Sequence, residues 1–395
     1  MGRKRVALIV TTYFLGSHGD VIGTRLIDGY EWGGEHIPSR VDVASMYLEQ
    51  AGGPRGDVGL EIAGKHGVPR FDTVGEAIAA GDGGGVNVDG VVIIGEHGEY
   101  EHNAIGQKMY PRRRLFDTAV AAMVGGGRTV PIFTDKHLSH LFSDGRWMVD
   151  TAARLGIPML AGSTIPLAWR VPQGTEWPAT EEMNEAVAVG FGDVEGYGFH
   201  TIEGLQVHAE RRGRGETGVA SVQGLTGDAA LAAVADGRVN ADLFGQALDR
   251  LGLDPASRRR ATETAVNVFL VEYLDGLRAA VVMCGEGVRN WSAAYRGPSH
   301  QMSCMMFLPG VTVGSPVEHF TFLVRHIESM VMEGRSPWPV ERTLLTTGIL
   351  DAVMRSRGAG GERIDTPELA ISYQPELDIT DVGVPFTYPQ PVRPA

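Results

Sequence analysis

The chain has 395 residues, of which 43% are hydrophobic and 21% are charged, and its formal net charge is −13. This length allows two domains, and the composition is typical of a folded globular protein. The acidic balance argues against nucleic acid or an anionic membrane as the main partner, because binding phosphate groups requires a basic surface.

Three features of the sequence favour a cytoplasmic protein. The basic start, Arg3 to Arg5, precedes an apolar run that is too short for a signal peptide. Nothing in the chain reaches the run of about 18 apolar residues that would span a membrane. Cys284 and Cys304 form neither a metal-ligand spacing nor a disulfide framework, so we expect free thiols in a reducing compartment.

Strands and helices alternate over the first 165 residues. The apolar, β-branched run Val6–Val10 is typical of a strand buried on both faces. Further predicted strands cover 40–47, 68–71, 88–95, 129–134 and 157–162, and predicted helices cover 59–66, 73–80 and 143–155. Strands separated by helices pair in parallel through right-handed crossovers. We therefore predict a Rossmann-like, doubly wound parallel sheet over residues 1–165.

The pattern changes in the second half of the chain. Apolar segments over 267–272 and 276–283 are joined through Asp275-Gly276, which is a strong hairpin signal. Helical periodicity extends over 317–332 and 340–357. This mixture predicts an α+β domain over residues 166–360 with a largely antiparallel sheet.

Two further expectations concern the surface of this second domain. Residues 361–395 are rich in proline and lack periodicity, so we expect them to wrap the surface. The apolar side chains around Met302 and Cys304 suit a core or an interface. We expect the sheet of this domain to pair with a second copy, which would make the protein a homo-oligomer.

Short stretches of the sequence occur in the order in which a known family has them. They are 88–93 (VDGVVI), Thr134-Asp135-Lys136-His137, 198–203 (GFHTIE) and 272–276 (EYLDG). Over roughly residues 5–360 the chain therefore resembles the Gfo/Idh/MocA family (glucose–fructose oxidoreductase, inositol dehydrogenase and MocA).

The resemblance implies a nicotinamide-dependent oxidoreductase, with NAD or NADP as cofactor, that acts on a polyol, sugar or related hydroxy or keto compound. Lys136 would lie near the reactive carbon and polarise the reacting oxygen, and His200 would donate or accept the proton. Glu203, on the same predicted helix, would contact the substrate. The residues expected to contact the cofactor are Thr11, Thr12, Gly16, His18, Gly95, Glu96 and Asp135.

The chain departs from the family in its first turn and in two acidic positions. The turn after the first strand keeps only Gly16 of the three glycines that let a backbone approach a pyrophosphate. Residues 44–47 offer no acidic side chain for the ribose hydroxyls, and Gly196 replaces the usual aspartate, with Glu195 beside it. We expect a remodelled cofactor pocket, in which the helix N-terminus after Gly16 could still bind an anion.

Histidines and carboxylates crowd the loop that follows the strand at 88–95. Its side chains are Glu96, His97, Glu99, Glu101 and His102. The loop follows a strand end, where open α/β sheets bind ligands, so His97 is a candidate catalytic residue and His102 a candidate substrate contact. Imidazole with carboxylate also suits a divalent transition metal. The candidate ligands for such a metal are His18, His97, Glu99 and His102.

Arginines supply candidate anion-binding groups. In the run Arg112-Arg113-Arg114, one or two guanidinium groups could clamp a carboxylate or phosphate of the substrate, with Arg112 as the candidate. A surface or subunit contact is the alternative for this run. Arg170 is a comparable candidate for binding an anionic substrate.

Three functions remain open at this point. The first is the nicotinamide-dependent oxidoreductase. The second is a non-redox and possibly metal-dependent lyase, isomerase or hydrolase that uses the His/Glu-rich crevice. The third is a non-catalytic ligand-binding or scaffold subunit. Both enzyme hypotheses require the Lys136 turn, the His97–His102 loop and the His200 helix to meet in one cleft.

Overall fold

The computed structural model describes residues 2–32, 35–213, 215–263, 266–308 and 319–375. The strands of the first half are β1 (Lys4–Val10), β2 (Tyr30–Trp32), β3 (Glu35–Ile37), β4 (Val41–Leu48), β5 (Arg70–Phe71), β6 (Gly90–Ile94), β7 (Ile132–Asp135) and β8 (Met159–Gly162). The helices there are α1 (Arg25–Asp28), which continues a π-helical segment over Gly19–Thr24, α2 (Val58–His66), α3 (Val74–Ala79), α4 (Arg112–Gly125) and α5 (Phe142–Arg154).

A six-stranded parallel sheet organises this half in the order β5-β4-β1-β6-β7-β8. The sequence accounts for its local structure: β6 is apolar and fully buried, and the Thr73 side chain caps α3 in a capping box with Glu76. The strand order reverses direction between β1 and β6, which is the switch point where such sheets bind ligands. The predicted Rossmann-like doubly wound sheet is therefore confirmed.

The second half contains the strands β9 (Trp169–Val171), β10 (Glu185–Phe191), β11 (Val219–Thr226), β12 (Asn267–Tyr273), β13 (Arg278–Cys284), β14 (Trp291–Arg296), β15 (Gln301–Phe307) and β16 (Ile364–Asp365). Its helices are α6 (Gly196–Ala209), α7 (Asp228–Ala235), α8 (Ala241–Arg250), α9 (Pro255–Glu263), α10 (Phe320–Glu333) and α11 (Glu341–Gly358).

An eight-stranded sheet organises these elements in the order β16-β11-β12-β13-β10-β14-β15-β9. Strands β10 and β13 run parallel, and the other neighbours are antiparallel. Strands β12 and β13 form the hairpin expected from Asp275-Gly276, and Gly276 has a φ of +93°. The predicted α+β half with a largely antiparallel sheet is confirmed.

The chain buries both faces of this sheet. Helices α6 and α11 pack on one face. Helices α7 to α9, which the sequence patterns did not predict, form a helical layer on the other face and bury strand residues such as Val187, Val268 and Val282. The homo-oligomer expected through this sheet stays a prediction. It would have to use a sheet edge or the helical layer, because the strands beneath that layer are already covered.

Two other elements add to the sequence-based expectations. The arginine run, to which the sequence assigned no secondary structure, begins α4. Helix α10, placed by sequence in the second domain, packs instead on the first sheet, where Val331 lies close to Gly90. Helices from the first half of the chain and α10 from the second half therefore both pack on the first sheet. Of the segment expected to wrap the surface, residues 376–395 lie outside the described residues, whereas Leu369 and Ile371 are buried.

The helical layer provides a stability test. We expect Leu243→Ala to lower the free energy of unfolding by about 2–5 kcal/mol, because Leu243 in α8 is fully buried and truncation leaves a cavity. Leu231→Ala in α7 is the matched control, since Leu231 is 37% exposed and its truncation should have little effect. Chemical denaturation of both variants measures the difference. Equal losses would contradict the described packing of the layer.

Candidate functional site

Three segments meet in a cleft at the carboxyl edge of the first sheet. The cleft is a cavity of about 750 Å³ that both halves of the chain line. Its lining includes Lys136 after β7, His97 and His102 after β6, and His200 on α6. The structure thus brings together the segments that both enzyme hypotheses require. The volume is in the range of small-molecule sites.

A chain of hydrogen bonds leads from the cleft into the interior. Lys136 Nζ lies 2.7 Å from His200 Nε2, and His200 Nδ1 lies 2.9 Å from Ser163 Oγ. Ser163 Oγ in turn contacts Glu203 Oε2, and the Ser163 backbone N–H donates to Glu203 Oε1 at 3.1 Å. We call these four residues the relay. All four are buried, and Lys136 and His200 also line the cleft.

The relay satisfies its hydrogen bonds in two opposite directions. With Glu203 ionised, its carboxylate accepts from the Ser163 hydroxyl, Ser163 accepts from His200, and His200 Nε2 accepts from the Lys136 ammonium group. With Glu203 protonated, every bond reverses and Lys136 becomes a neutral amine. One proton can therefore move between the cleft and the interior without changing the net charge of the relay.

The acid–base properties of the relay suit this exchange. Burial raises the pKa of Glu203 to about 7, although hydrogen bonds from Ser163 act in the opposite direction. Burial, together with the charge of Lys136, lowers the pKa of His200 well below its ordinary value. His200 is therefore a neutral imidazole that can pass a proton from one ring nitrogen to the other.

Backbone geometry aims the side chains at the cleft. Lys136 and His97 have left-handed φ angles of +67° and +64°, which only a small share of residues other than glycine adopt. Such strain is concentrated at functional sites. In a strand, consecutive side chains point to opposite faces. The left-handed turn at Lys136 ends this alternation. Lys136 therefore lines the cleft, and the preceding residue, Asp135, binds a side chain that lines it.

Asp135 contributes to the cleft through a hydrogen bond with His18. Its Oδ2 lies 2.6 Å from His18 Nδ1, and Asp135 is fully buried. The other ring nitrogen of His18 remains for the cleft, which His18 lines. His97 packs edge-on against His18 at 5.6 Å, and burial lowers the pKa of His97 to about 4, so His97 is neutral.

Beneath Lys136 lies a buried ion pair that the sequence did not predict. Glu96 Oε1 lies 3.6 Å from Lys136 Nζ, and Glu96 Oε2 accepts from Arg112. Burial disfavours the ionised form of Glu96, but Lys136 and Arg112 outweigh it and hold its pKa well below the usual range. Arg112 also contacts His137, and a Cβ at Gly95 would come within 2.7 Å of the Arg112 side chain.

The turn after β1 differs from an open phosphate-binding loop. The Asp20 carboxylate accepts from the Gly16 backbone N–H at 2.8 Å, and Ser17 Oγ accepts from the Asp20 N–H. Thr11 Oγ1 donates to the backbone of Glu96 at 2.7 Å, so its side chain ties this turn to the next strand. The chain's own groups therefore accept from the N–H groups of Gly16 and Asp20, in the turn where a diphosphate would bind.

A second cavity of about 500 Å³ adjoins this turn and shares His97 and Lys108 with the cleft. Thr12 lines it, and the Thr12 hydroxyl is buried without a hydrogen-bond partner. Arg55 lies over the Phe14 ring at 4.7 Å on its wall. Glu99 also lines this cavity, away from His18 and His102.

The expected absence of an acidic residue after the second parallel strand is corrected by the structure. Strand β4 ends at Leu48, one residue later than predicted, and Glu49 follows it. The Glu49 carboxylate is already bound, because Arg114 donates to it at 2.7 and 2.8 Å and Tyr100 at 2.8 Å. The Glu49 carboxylate is therefore bound by side chains of the protein itself, and Gln50 lines the cavity instead.

The expected substrate contacts separate into two groups. His102 lines the cleft. Arg170 does not, because its guanidinium donates to the backbone carbonyls of Pro166 and Ala168. Arg112 and Glu203 act behind the cleft, through Glu96 and through Ser163 respectively. The rest of the arginine run also turns away, since Arg113 pairs with carboxylates on α4 and α5.

Sequence reasoning missed several residues of the site. Ser163 follows directly after β8, and this strand-end position was the available signal. Glu195 lines the cleft and accepts from the Lys108 N–H, and burial raises its pKa to about 7. Tyr197 and Trp291 stack at 6.0 Å and form an aromatic wall beside them. Both come from the second half, so only the fold brings them to Lys136.

Neither a metal-ligand cluster nor a membrane-spanning helix is found among the described residues. Within the described residues, no group of three or more His, Cys, Asp or Glu side chains is arranged to hold a metal ion. Of the candidate metal ligands, His18 and His102 line the cleft, Glu99 lines the smaller cavity, and His97 lines both. The described helices include none with the length and apolarity needed to cross a bilayer.

Comparison with known proteins supports the architecture. No family model and no curated protein matches the sequence. Among solved structures, GenD2 from gentamicin A biosynthesis in complex with NAD is 15% identical, with a TM-score of 0.58, and the match covers 92% of this chain and 97% of GenD2. Myo-inositol 2-dehydrogenase from Lactobacillus plantarum is 13% identical, with a TM-score of 0.54 and coverage of 92% and 99%.

A third similar structure is scyllo-inositol dehydrogenase from Lactobacillus casei with bound NAD(H) and scyllo-inositol. It is 10% identical, with a TM-score of 0.55, and the match again covers 92% of this chain and 99% of the other. At these identities the likeness establishes the fold. The shared fold is the two-domain arrangement expected from the sequence motifs.

Glu203 provides a test of the relay that needs no substrate. A raised pKa means that the folded protein holds this proton more tightly than the unfolded chain, so stability falls as pH rises from about 4.5 to about 7. A shift of this size corresponds to about 3 kcal/mol. We expect Glu203→Gln to reduce the loss of unfolding free energy between pH 5 and pH 8 by roughly that amount.

Chemical denaturation at the two pH values measures this effect. Glu272→Gln is the control, because Glu272 is exposed on β12 and pairs with Arg363 at the surface. An unchanged pH dependence in Glu203→Gln would show that Glu203 does not carry the proton.

Proposed function

We propose that this chain, which has the two-domain fold of the Gfo/Idh/MocA-type oxidoreductases, is a nicotinamide-dependent oxidoreductase of a polyol, sugar or related hydroxy or keto compound. The observation that carries the proposal is the Lys136–His200 hydrogen bond of 2.7 Å in the cleft at the switch point of the sheet. Oxidation of an alcohol requires a base for the hydroxyl proton, and this pair supplies it.

The residues around the two cavities fit such a cofactor. The smaller cavity and the cleft adjoin at His97 and Lys108, which offers one extended space across the end of the sheet. The unpartnered hydroxyl of Thr12 and the side chains of Gln50 and Arg55 would contact the nucleotide half. Within the described residues Arg55 has no carboxylate partner, which leaves its charge for a ligand.

The relay accounts for the proton in the proposed reaction. A bound nicotinamide supplies the acceptor or donor of hydride. With Glu203 ionised, Lys136 first passes a proton to His200 Nε2, His200 passes one from Nδ1 to Ser163, and Ser163 passes its own to Glu203. Lys136 is then a neutral amine and accepts the proton of the substrate hydroxyl. Reduction of a ketone runs the same steps in reverse.

A second candidate function is favoured by one observation. Asp20 occupies the Gly16 N–H and places a carboxylate at the helix end that would otherwise attract a diphosphate. This arrangement supports a non-redox lyase, isomerase or hydrolase that works in the same cleft without a dinucleotide. The two candidates differ in whether the protein binds NAD(H) or NADP(H).

Dinucleotide binding tests both candidates. We expect saturable binding of NADH or NADPH in calorimetric titration. We expect Asp20→Asn to tighten it about two- to fivefold, because a charge at a helix end contributes about 0.3–1 kcal/mol. Asn can still accept from the Gly16 N–H, so the turn should keep its shape. Asp72→Asn is the control, since Asp72 is exposed and lies outside both cavities. Absence of binding at millimolar concentrations would reject the cofactor and favour the second candidate.

Substitution of Lys136 tests whether the cleft is catalytic. We expect Lys136→Ala to lower kcat about 10²- to 10⁴-fold, because it removes the group that exchanges a proton with the substrate oxygen. Oxidation of a polyol and sugar panel, followed by NAD(P)H absorbance, measures the change. Lys65→Ala on the exposed end of α2 is the control. Unchanged turnover in Lys136→Ala would contradict the catalytic role of Lys136, whereas no turnover of the panel by the wild type would favour the scaffold hypothesis.

A further inference from the structure

The cleft contains a second acid–base pair that the oxidoreductase reaction does not use. It consists of His18, which lines the cleft, and Asp135, which lies behind it. Because an ionised carboxylate only accepts hydrogen bonds, the bond to Asp135 places the proton on His18 Nδ1. The lone pair is then on Nε2, the nitrogen left for the cleft.

Asp135 is committed to His18. Its second oxygen, Oδ1, is buried and has no hydrogen-bond partner, so the polar contact of this carboxylate within the described residues is the one to the imidazole. A buried carboxylate of this kind fixes the ring and stabilises the imidazolium form that follows proton uptake. Phe320 packs edge-on against the His18 ring at 5.1 Å and restricts its rotation further.

The pair and the relay serve the same cavity from neighbouring residues of the chain. Asp135 holds the base His18, and Lys136 presents its amino group to the same cleft. A base for carbon and an acid for oxygen, both facing one ligand, are the two groups that enolisation of a ketone requires. Hydride transfer uses the group on oxygen and has no need for a base such as His18.

We infer that the protein also catalyses proton transfer at the carbon beside a carbonyl group, with His18 as the base on carbon and Lys136 as the acid on oxygen. The substrate class is an α-hydroxyketone whose carbonyl lies at Lys136. The inference rests on the proposed function for this choice of compound and otherwise needs no cofactor. Asp135 is a positioning residue, since it acts through His18.

The step is balanced without an oxidant. His18 Nε2 removes the proton from the carbon, and the electron pair of the broken C–H bond forms the C=C bond of an enediol. The carbonyl oxygen takes a proton from the Lys136 ammonium group. Reversal at the same carbon returns the ketone. If the His18 imidazolium instead protonates the former carbonyl carbon and the Lys136 amine takes the proton of the other enediol hydroxyl, the carbonyl group moves and the isomeric hydroxyketone forms.

Deuterium exchange tests the inference directly. Purified protein is incubated in D₂O, without added nucleotide, with dihydroxyacetone and with a keto-inositol, and NMR follows deuterium at the carbon beside the carbonyl. We expect the wild type to accelerate exchange of at least one of the two, and His18→Gln to lower the rate at least about 10²-fold. Added imidazole should partly restore exchange in His18→Ala, because it can occupy the vacated space.

Two variants separate the chemical role from a structural one. His66→Gln is the matched control, because His66 is also a histidine paired with an aspartate, Asp28, but lies on the surface outside the cleft. It should exchange like the wild type. Asp135→Asn should lower kcat for exchange and leave KM for the hydroxyketone unchanged, since Asp135 does not line the cleft.

The outcomes also separate this inference from the proposed function. No exchange by the wild type with either ketone, or full exchange by His18→Gln, would overturn the inference. Exchange without any NAD(H) or NADP(H) binding would leave it standing and reject the oxidoreductase. Hydride transfer without exchange would do the reverse.

Discussion

The hydrogen bond between Lys136 and His200 is the contact on which the site depends, because it joins the two sheets of the molecule. Lys136 leaves the first sheet after β7, and His200 lies on the helix that packs against the second sheet. The bond therefore connects the two halves of the chain within the cleft and forms the entry point of the relay. Its Lys136 end is held by a strained backbone, whereas its His200 end is held by Ser163.

Burial makes this contact functional as well as structural. Lys136 is buried, Glu96 Oε1 lies 3.6 Å from its Nζ, and Glu203 is joined to it through the relay. The negative charge of Glu96 offsets the positive charge beside it, whereas Glu203 can take up a proton. Two carboxylates near one lysine thus differ in role because cations surround Glu96, whereas Glu203 has a serine for its partner.

The sequence predicted the parts of the structure that depend on local pattern. Apolar strands and capped helices identified the first sheet, and strand ends located Lys136, His97 and the turn of His18. The hairpin at Asp275-Gly276 followed from turn chemistry. Predictions were weaker where partners are distant in sequence: His18 and Asp135 are separated by 117 positions, and Ser163 and His200 by 37. No local pattern records such pairs.

Other features were not predicted because their local sequence pattern is typical of a different environment. Three consecutive arginines are typical of a surface, yet Arg112 is buried because Glu96, His137 and the missing side chain of Gly95 make room for it. Helices α7 to α9 have only eight to ten residues each and gain stability from the sheet that they cover. The role of Glu49 was missed because β4 ends one residue later than its apolar pattern indicates.

The helical layer over the second sheet has a thermodynamic consequence. In proteins whose sheets are completed by another subunit, the folded state gains stability as protein concentration rises, by mass action. Here the residues that bury β10 to β14 come from the same polypeptide. Any rise of the unfolding midpoint with protein concentration would therefore come from contacts at a sheet edge or on the outer side of the helical layer, and not from completion of the core over these strands.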